Sequence, residues 1–293
     1  MQLRSVFPPM PTPFASDGSI DTATITRNVR RWLDAGLGGI VALGTNGEAA
    51  LLDEDESDRV IAASRESVPR DRALIAGVGR ESTRATVAAA RRAADLGADA
   101  VLVRPPSLYR TSVTAAALEG HFRAVADDCR APVLLYNYPA FFGAQLPPPL
   151  IGRLAEHPNV IGMKETSTDG AQFADIAAAV PDRFTILAGS APGLYPALCA
   201  GARGAILAVA CVVPEMCLDV LRLTCDGQHA DALRLQQRLN PLARAVTSGY
   251  GIAGLKAAMD MMGYGGGAVR APLSPVSSEG IEQIRLLLQS VAA

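Results

Sequence analysis

One pattern constrains this chain more than any other. A short run rich in β-branched and aliphatic residues, a turn and a longer alanine-rich amphipathic stretch recur along most of its 293 residues. Gly39-Ile-Val-Ala-Leu43 reads as a strand and Asp53 to Val68 as the helix after it. Ala73-Leu-Ile-Ala76 precedes a helix that starts near Ser82, whose hydroxyl suits an N-cap. Ala100-Val-Leu-Val103 is followed by a helix from Thr114 to Cys129. Pro132–Tyr136, Val160–Lys164, Phe184–Ala188 and Gly204–Ala208 supply four more strands, and Arg4-Ser-Val-Phe7 supplies the first. Helices tend to end in Gly-Ala just before the next strand, where glycine stops the helix and turns the chain back.

About eight such units in parallel-sheet rhythm predict an α/β fold, a (β/α)8 TIM barrel, rather than an open doubly wound sheet. After Pro214 the sequence reads as helical almost throughout. The expected organisation is therefore a catalytic barrel over residues 1–212 and a C-terminal helical extension over 213–293. A composition of 49% hydrophobic and 19% charged residues supports a sizeable core.

Composition also narrows the function. Lys and Arg total 27 against 29 for Asp and Glu, so no basic excess favours nucleic acid. No apolar run is long enough to span a membrane, and the opening residues lack a signal-peptide core, so a cytoplasmic location is expected. The five cysteines form no CxxC pair and read as buried reduced thiols. His121, His157 and His229 stand far apart, without the spacing of a metal centre. The glycine cluster at 36–39 falls between a helix and a strand, the wrong order for a dinucleotide loop, and that at 263–267 lies in the late helical region; both read as turns. Neither GxxxxGK[ST] nor GxSxG occurs.

Barrel enzymes carry their chemistry at the carboxyl ends of the strands. Three of those ends are unusual here: Gly44-Thr-Asn-Gly-Glu48, Tyr136-Asn-Tyr-Pro139 and Lys164-Glu-Thr166. Alternation places Val160, Gly162 and Lys164 on one strand face. If that face points inward, burial favours the neutral, nucleophilic amine. The alternative is a strand-end lysine that is solvated or paired with a carboxylate such as Glu48. The chain uses arginine almost everywhere, and Lys164 and Lys256 are its only lysines. Tyr136 ends the adjacent strand, either as a proton-transfer partner of Lys164 or as an aromatic cap on the core. Thr45 and Asn46 sit in a glycine-flanked turn able to hold a carboxylate, though such a turn can also be only a turn.

As an ordered set, these segments resemble the dihydrodipicolinate synthase/N-acetylneuraminate lyase family of class I aldolases. The likeness adds Pro-Pro-Met-Pro-Thr-Pro-Phe14 and Leu187-Ala-Gly-Ser190 and covers almost the whole chain. It implies that Lys164 forms an imine with a pyruvate unit, that Tyr136 transfers protons and that Thr45 relays them. It implies that Tyr109 reaches into a neighbouring subunit's site, within a homo-oligomer built as a dimer of dimers. Substrate would be bound by Thr45, Asn46, Thr166, Gly189 and Ile206, with a small 2-oxo acid as partner and neither metal nor organic cofactor.

Two departures bear on the substrate. Phe141 stands where lysine-biosynthetic synthases carry an arginine for the aldehyde's carboxylate. Ala191 and Pro192 stand where sialic acid lyases carry an acidic pair. The sequence is more similar to the 4-hydroxy-2-oxoglutarate aldolase branch, with its Met-Lys pair and segments like Glu81–Val87, Gly251–Lys256 and Arg270–Leu273. Phe141 and Phe142 fit that branch poorly. The expected activity is cleavage of a 4-hydroxy-2-oxo acid to pyruvate and an aldehyde such as glyoxylate. A synthase-like condensation or a sugar-acid dehydration on the same imine is the alternative, and a catalytically inactive binding barrel a third.

Overall fold

A computed structural model describes residues 3–292. Its eight strands are β1 Val6–Phe7, β2 Gly39–Ala42, β3 Ala73–Gly77, β4 Ala100–Val103, β5 Val133–Asn137, β6 Val160–Glu165, β7 Thr185–Ala188 and β8 Gly204–Ile206. All pair in parallel, in the order β1-β8-β7-β6-β5-β4-β3-β2. The remaining seam closes just beyond β1. There the Met10 N–H donates to the Val41 carbonyl at 2.9 Å and the Val41 N–H to the Pro8 carbonyl at 3.0 Å. The sheet is thus the expected (β/α)8 barrel, with no free edge.

Eight outer helices follow the strands: α1 Thr22–Asp34, α2 Glu54–Ser67, α3 Thr83–Asp95, α4 Ala115–Asp128, α5 Pro148–Ala155, α6 Gly170–Ala179, α7 Leu194–Cys199 and α8 Pro214–Cys225. Their starts follow local chemistry. Asp53 closes a reciprocal capping box with Glu56, and Ser82 and Thr114 accept from the Ala85 and Ala117 N–H groups. Each cap satisfies a donor that would otherwise be orphaned, worth about 1 kcal/mol.

The core lies in two layers. Phe7, Val41, Ile75, Leu102, Leu134, Leu187 and Ile206 fill the barrel, while alternate residues such as Ile40, Leu74 and Val101 face the helices. The alternation breaks once. Register shifts between Val133 and Leu134, so Leu134 pairs with Gly162 and Tyr136 with Lys164. Val160 therefore packs in the outer layer, not on the face of Gly162 and Lys164 as simple alternation predicts. An irregular residue in one strand of a pair swaps the faces beyond it.

Helix α8 lies beyond the expected division at residue 212, yet it packs on α7 and β1 as the eighth outer helix. The C-terminal region then comprises α9 His229–Arg244, a π-helical turn Ala245–Gly249, α10 Gly251–Met261 and α11 Ser278–Ala292. Residues 262–277 are irregular rather than helical. Glycines at 263, 265, 266 and 267 and prolines at 272 and 275 remove helix propensity there. All five cysteines are free, but only Cys129, Cys211 and Cys217 are buried; Cys199 and Cys225 are exposed.

Candidate active site

The strand ends singled out by the sequence meet at the carboxyl mouth of the barrel. Lys164, near the end of β6, is only 7% exposed. Its Nζ lies 3.1 Å from the Tyr136 hydroxyl and 4.3 Å from the centre of that ring. The Thr45 hydroxyl stands 3.4 Å from the same tyrosine oxygen, so the three groups form a chain from amine to phenol to alcohol. No carboxylate pairs with Lys164 among the described residues. Glu48, the candidate counter-ion, turns away and pairs with Lys256 at 2.6 Å. An amine buried beside a phenol and free of a carboxylate can act as a nucleophile once neutral, and the phenol can carry protons to and from what it forms.

The turn carrying Thr45 and Asn46 is held from below. Leu43 and Glu48, which bracket it, both adopt left-handed backbone with φ of 56° and 54°. For non-glycine residues that conformation costs about 1–3 kcal/mol each and persists only where surroundings enforce it. The enforcing contacts are long-range. The Thr12 hydroxyl donates to the Gly47 carbonyl at 2.6 Å, and the Arg270 N–H donates to Glu48 Oε2 at 2.8 Å. Lys256 Nζ also donates to the Thr12 and Ala268 carbonyls. Burial lowers the Lys256 pKa, and the Glu48 carboxylate opposes that shift. Lys256 was visible in sequence as one of two lysines and as the end of the Gly251–Lys256 run; nothing local revealed its partner.

Thr166 and Gly189 meet beside Lys164. A Cβ at position 189 would lie 2.7 Å from Thr166 Oγ1 and 2.9 Å from Lys164 Cε, so only glycine leaves the lysine its room. Thr166 Oγ1 is buried without a hydrogen-bond partner and faces this same space. Behind the lysine, Glu165 accepts from Asn137 Nδ2 at 2.7 Å and from the Ser167 N–H at 2.8 Å. Burial raises the Glu165 pKa against those hydrogen bonds. This pair locks the ends of β5 and β6 together, and sequence reasoning assigned it no role.

A cavity of about 940 Å³ opens above these groups, lined by Thr45, Asn46, Tyr136, Lys164, Thr166 and Gly189 among others. Six of the eight expected site residues therefore converge. Ile206 is fully buried in the barrel interior and does not line the cavity. Tyr109 stands apart, 67% exposed on the segment after β4 beside the equally exposed Leu108. Phe141 lines this cavity and a neighbouring one of about 410 Å³, whereas Phe142 lines only the smaller and packs edge-on against Tyr136 at 5.1 Å. Ala191 and Pro192 line the larger cavity without charge. Sequence reasoning missed the far wall, which comes from the π-turn and includes Arg244, Thr247 and Ser248. Its only local signal is the break between two helical stretches. Among the described residues no cluster of three or more His, Cys, Asp or Glu is placed to hold a metal.

A closed (β/α)8 barrel with buried polar groups converging at its carboxyl mouth defines a barrel enzyme. The model of the dihydrodipicolinate synthetase family matches residues 2–291, and the chain belongs to that family of aldolase-type carbon–carbon lyases. It is 35% identical to a 4-hydroxy-tetrahydrodipicolinate synthase of Methanothrix thermoacetophila over 99% of this chain and 97% of that one. It is 38% identical to an uncharacterized DapA-like lyase of Halobacterium salinarum over 92% and 88% of the two chains. Among solved structures it resembles YagE, a prophage protein of E. coli K12 determined in complex with pyruvate. That likeness has 29% identity, a TM-score of 0.91 and 98% of each chain covered.

Proposed function

We propose that the chain is a class I aldolase that cleaves a 4-hydroxy-2-oxo acid, of the 4-hydroxy-2-oxoglutarate type, to pyruvate and an aldehyde such as glyoxylate. The observation that carries this reading is the buried Lys164 amine, 3.1 Å from the Tyr136 hydroxyl and without a carboxylate partner. The neutral amine attacks the C2 ketone to give a carbinolamine. Tyr136 protonates the departing hydroxyl, water leaves, and a protonated imine and a phenolate result. The phenolate takes the C4 hydroxyl proton as the C3–C4 bond breaks. The C3–C4 bonding pair becomes the C2=C3 bond while the C=N π pair moves onto nitrogen, giving an enamine, and the aldehyde departs. Tyr136 returns its proton to C3, and water hydrolyses the resulting imine to pyruvate and free Lys164. Thr45 serves as the relay to Tyr136.

In this reading Thr45 and Asn46 hold the 2-oxo acid's carboxylate, with Thr166 and Gly189 framing the imine. Tyr109 serves a neighbouring copy in a dimer of dimers; its exposure beside Leu108 supports that role. The names of the relatives favour a synthase-type condensation as the second reading, and it uses the same imine. Incubation with 4-hydroxy-2-oxoglutarate and analysis of products decides between them. Equimolar pyruvate and glyoxylate are expected, with no turnover by Lys164→Ala. Absence of cleavage by the native chain would overturn the aldolase reading.

A further inference from the structure

Among the described residues only two charged side chains line the 940 Å³ cavity: Lys164, buried, and Arg244, exposed at the end of α9. No acidic side chain among the described residues lines it. The other lining groups are hydroxyls, one amide and apolar side chains, so the cavity is cationic whenever an imine or ammonium occupies position 164. Arginine stays charged at every working pH, and its planar fork matches a carboxylate.

Arg244 is free for such a role. Arg234 and Arg270, in the same C-terminal region, hold Asp231 and Glu56. Arg244 has no ion-pair partner among the described residues. Its position comes from the π-turn Ala245–Gly249 that follows it, because a wider turn re-aims the side chains at the junction with α10. Thr247 and Ser248 reach the same wall, but their hydroxyls donate back to the Ala243 and Arg244 carbonyls at 2.6 and 3.4 Å. The guanidinium is therefore the strong free donor on that side. Phe141 lines the same cavity, 61% exposed and uncharged.

We propose that Arg244 binds a second carboxylate, on the part of the substrate beyond the bond that breaks, so that the enzyme selects dicarboxylic 2-oxo acids and, in reverse, aldehydes bearing a carboxylate. The cation that position 141 lacks is supplied instead from the C-terminal region. This inference rests on the imine reading above and adds to it the residue that holds the acceptor's carboxylate. Arg244 is a specificity residue; bond breaking stays with Lys164 and Tyr136.

The test is the condensation direction with pyruvate and matched acceptors, glyoxylate and succinic semialdehyde against acetaldehyde and butanal. In Arg244→Gln, kcat/KM for the carboxylate-bearing aldehydes should fall roughly tenfold to a hundredfold, the loss of a charge-assisted pair. That fall should exceed the change for the uncharged partners by tenfold or more and appear mainly in KM. Arg244→Lys should recover part of it. An equal change for charged and uncharged aldehydes, or none, with the pyruvate adduct still trapped by borohydride, would overturn the assignment and leave the aldolase reading standing. No adduct in the native chain would sink that reading, and the role of Arg244 with it.

Discussion

Between Lys164 and Gly189 there is room for a hydrogen and not for a methyl group. Gly189→Ala would put a carbon 2.9 Å from Lys164 Cε and 2.7 Å from Thr166 Oγ1, and the flexible lysine is the group that yields. We expect a large fall in kcat with a small shift in melting temperature, measured side by side. Tyr136→Phe removes the only hydrogen-bond partner of the lysine amine among the described residues. Turnover should drop roughly 10²–10⁴-fold, the usual value of a positioned acid–base group, while the trapped imine still forms. Unchanged turnover in that variant would take Tyr136 out of the proton transfers. These residues were legible in the sequence because each ends a strand, and barrel strand ends converge. Ile206 ends a strand too, but its side chain points into the packed interior, an orientation that residue type does not give.

At the scale of elements, the Thr45 turn is held by partners from the opposite end of the chain; Lys256 and Thr12 are 244 positions apart. Lys256→Met would strand the Glu48 carboxylate in a site where both side chains are almost wholly buried. Breaking a buried pair from one side costs roughly 3–5 kcal/mol, which a urea titration would read directly. A change below 1 kcal/mol would show that the pair contributes little to holding the turn. The loop after β4 has its own anchor. Glu81 accepts from the Ser107 and Leu108 N–H groups at 2.9 and 2.8 Å and pairs with Arg104. Burial works to raise its pKa, but these hydrogen bonds together outweigh it and lower the value from 4.5 to about 2. A depressed carboxylate stabilises the fold above its unfolded pKa, and that stabilisation is lost as pH falls through the folded one. Hydrogen exchange at Ser107 and Leu108 should therefore stay slow at pH 5 and become protected less as pH drops from about 4.5 toward about 2. In Glu81→Gln it should be fast throughout.

For the whole molecule, the eight strand–helix units could be read because hydrophobic period and caps are local signals. Closure was an inference from their number, since the hydrogen bonds between Pro8, Met10 and Val41 join segments with no common pattern. The faces of β6 could not be read correctly, because the β5/β6 register shift is a property of the pair and not of either strand. The irregular 262–277 segment shows its glycines in the sequence, but not that Leu273 and Ser274 would end over the cavity. The exposed Leu108 and Tyr109 bear on assembly. Sedimentation velocity should show a species of two or more chains, and Tyr109→Asp should shift it toward the single chain and lower activity together. A native single chain with full activity would remove Tyr109 from the site.

The most direct test of the account is borohydride reduction in the presence of pyruvate, read by intact mass and then by peptide mapping. One pyruvate-derived adduct per chain, located on Lys164 and absent from Lys164→Ala, is the predicted result. A folded native chain that gives no adduct, or carries it on Lys256, would contradict the imine mechanism.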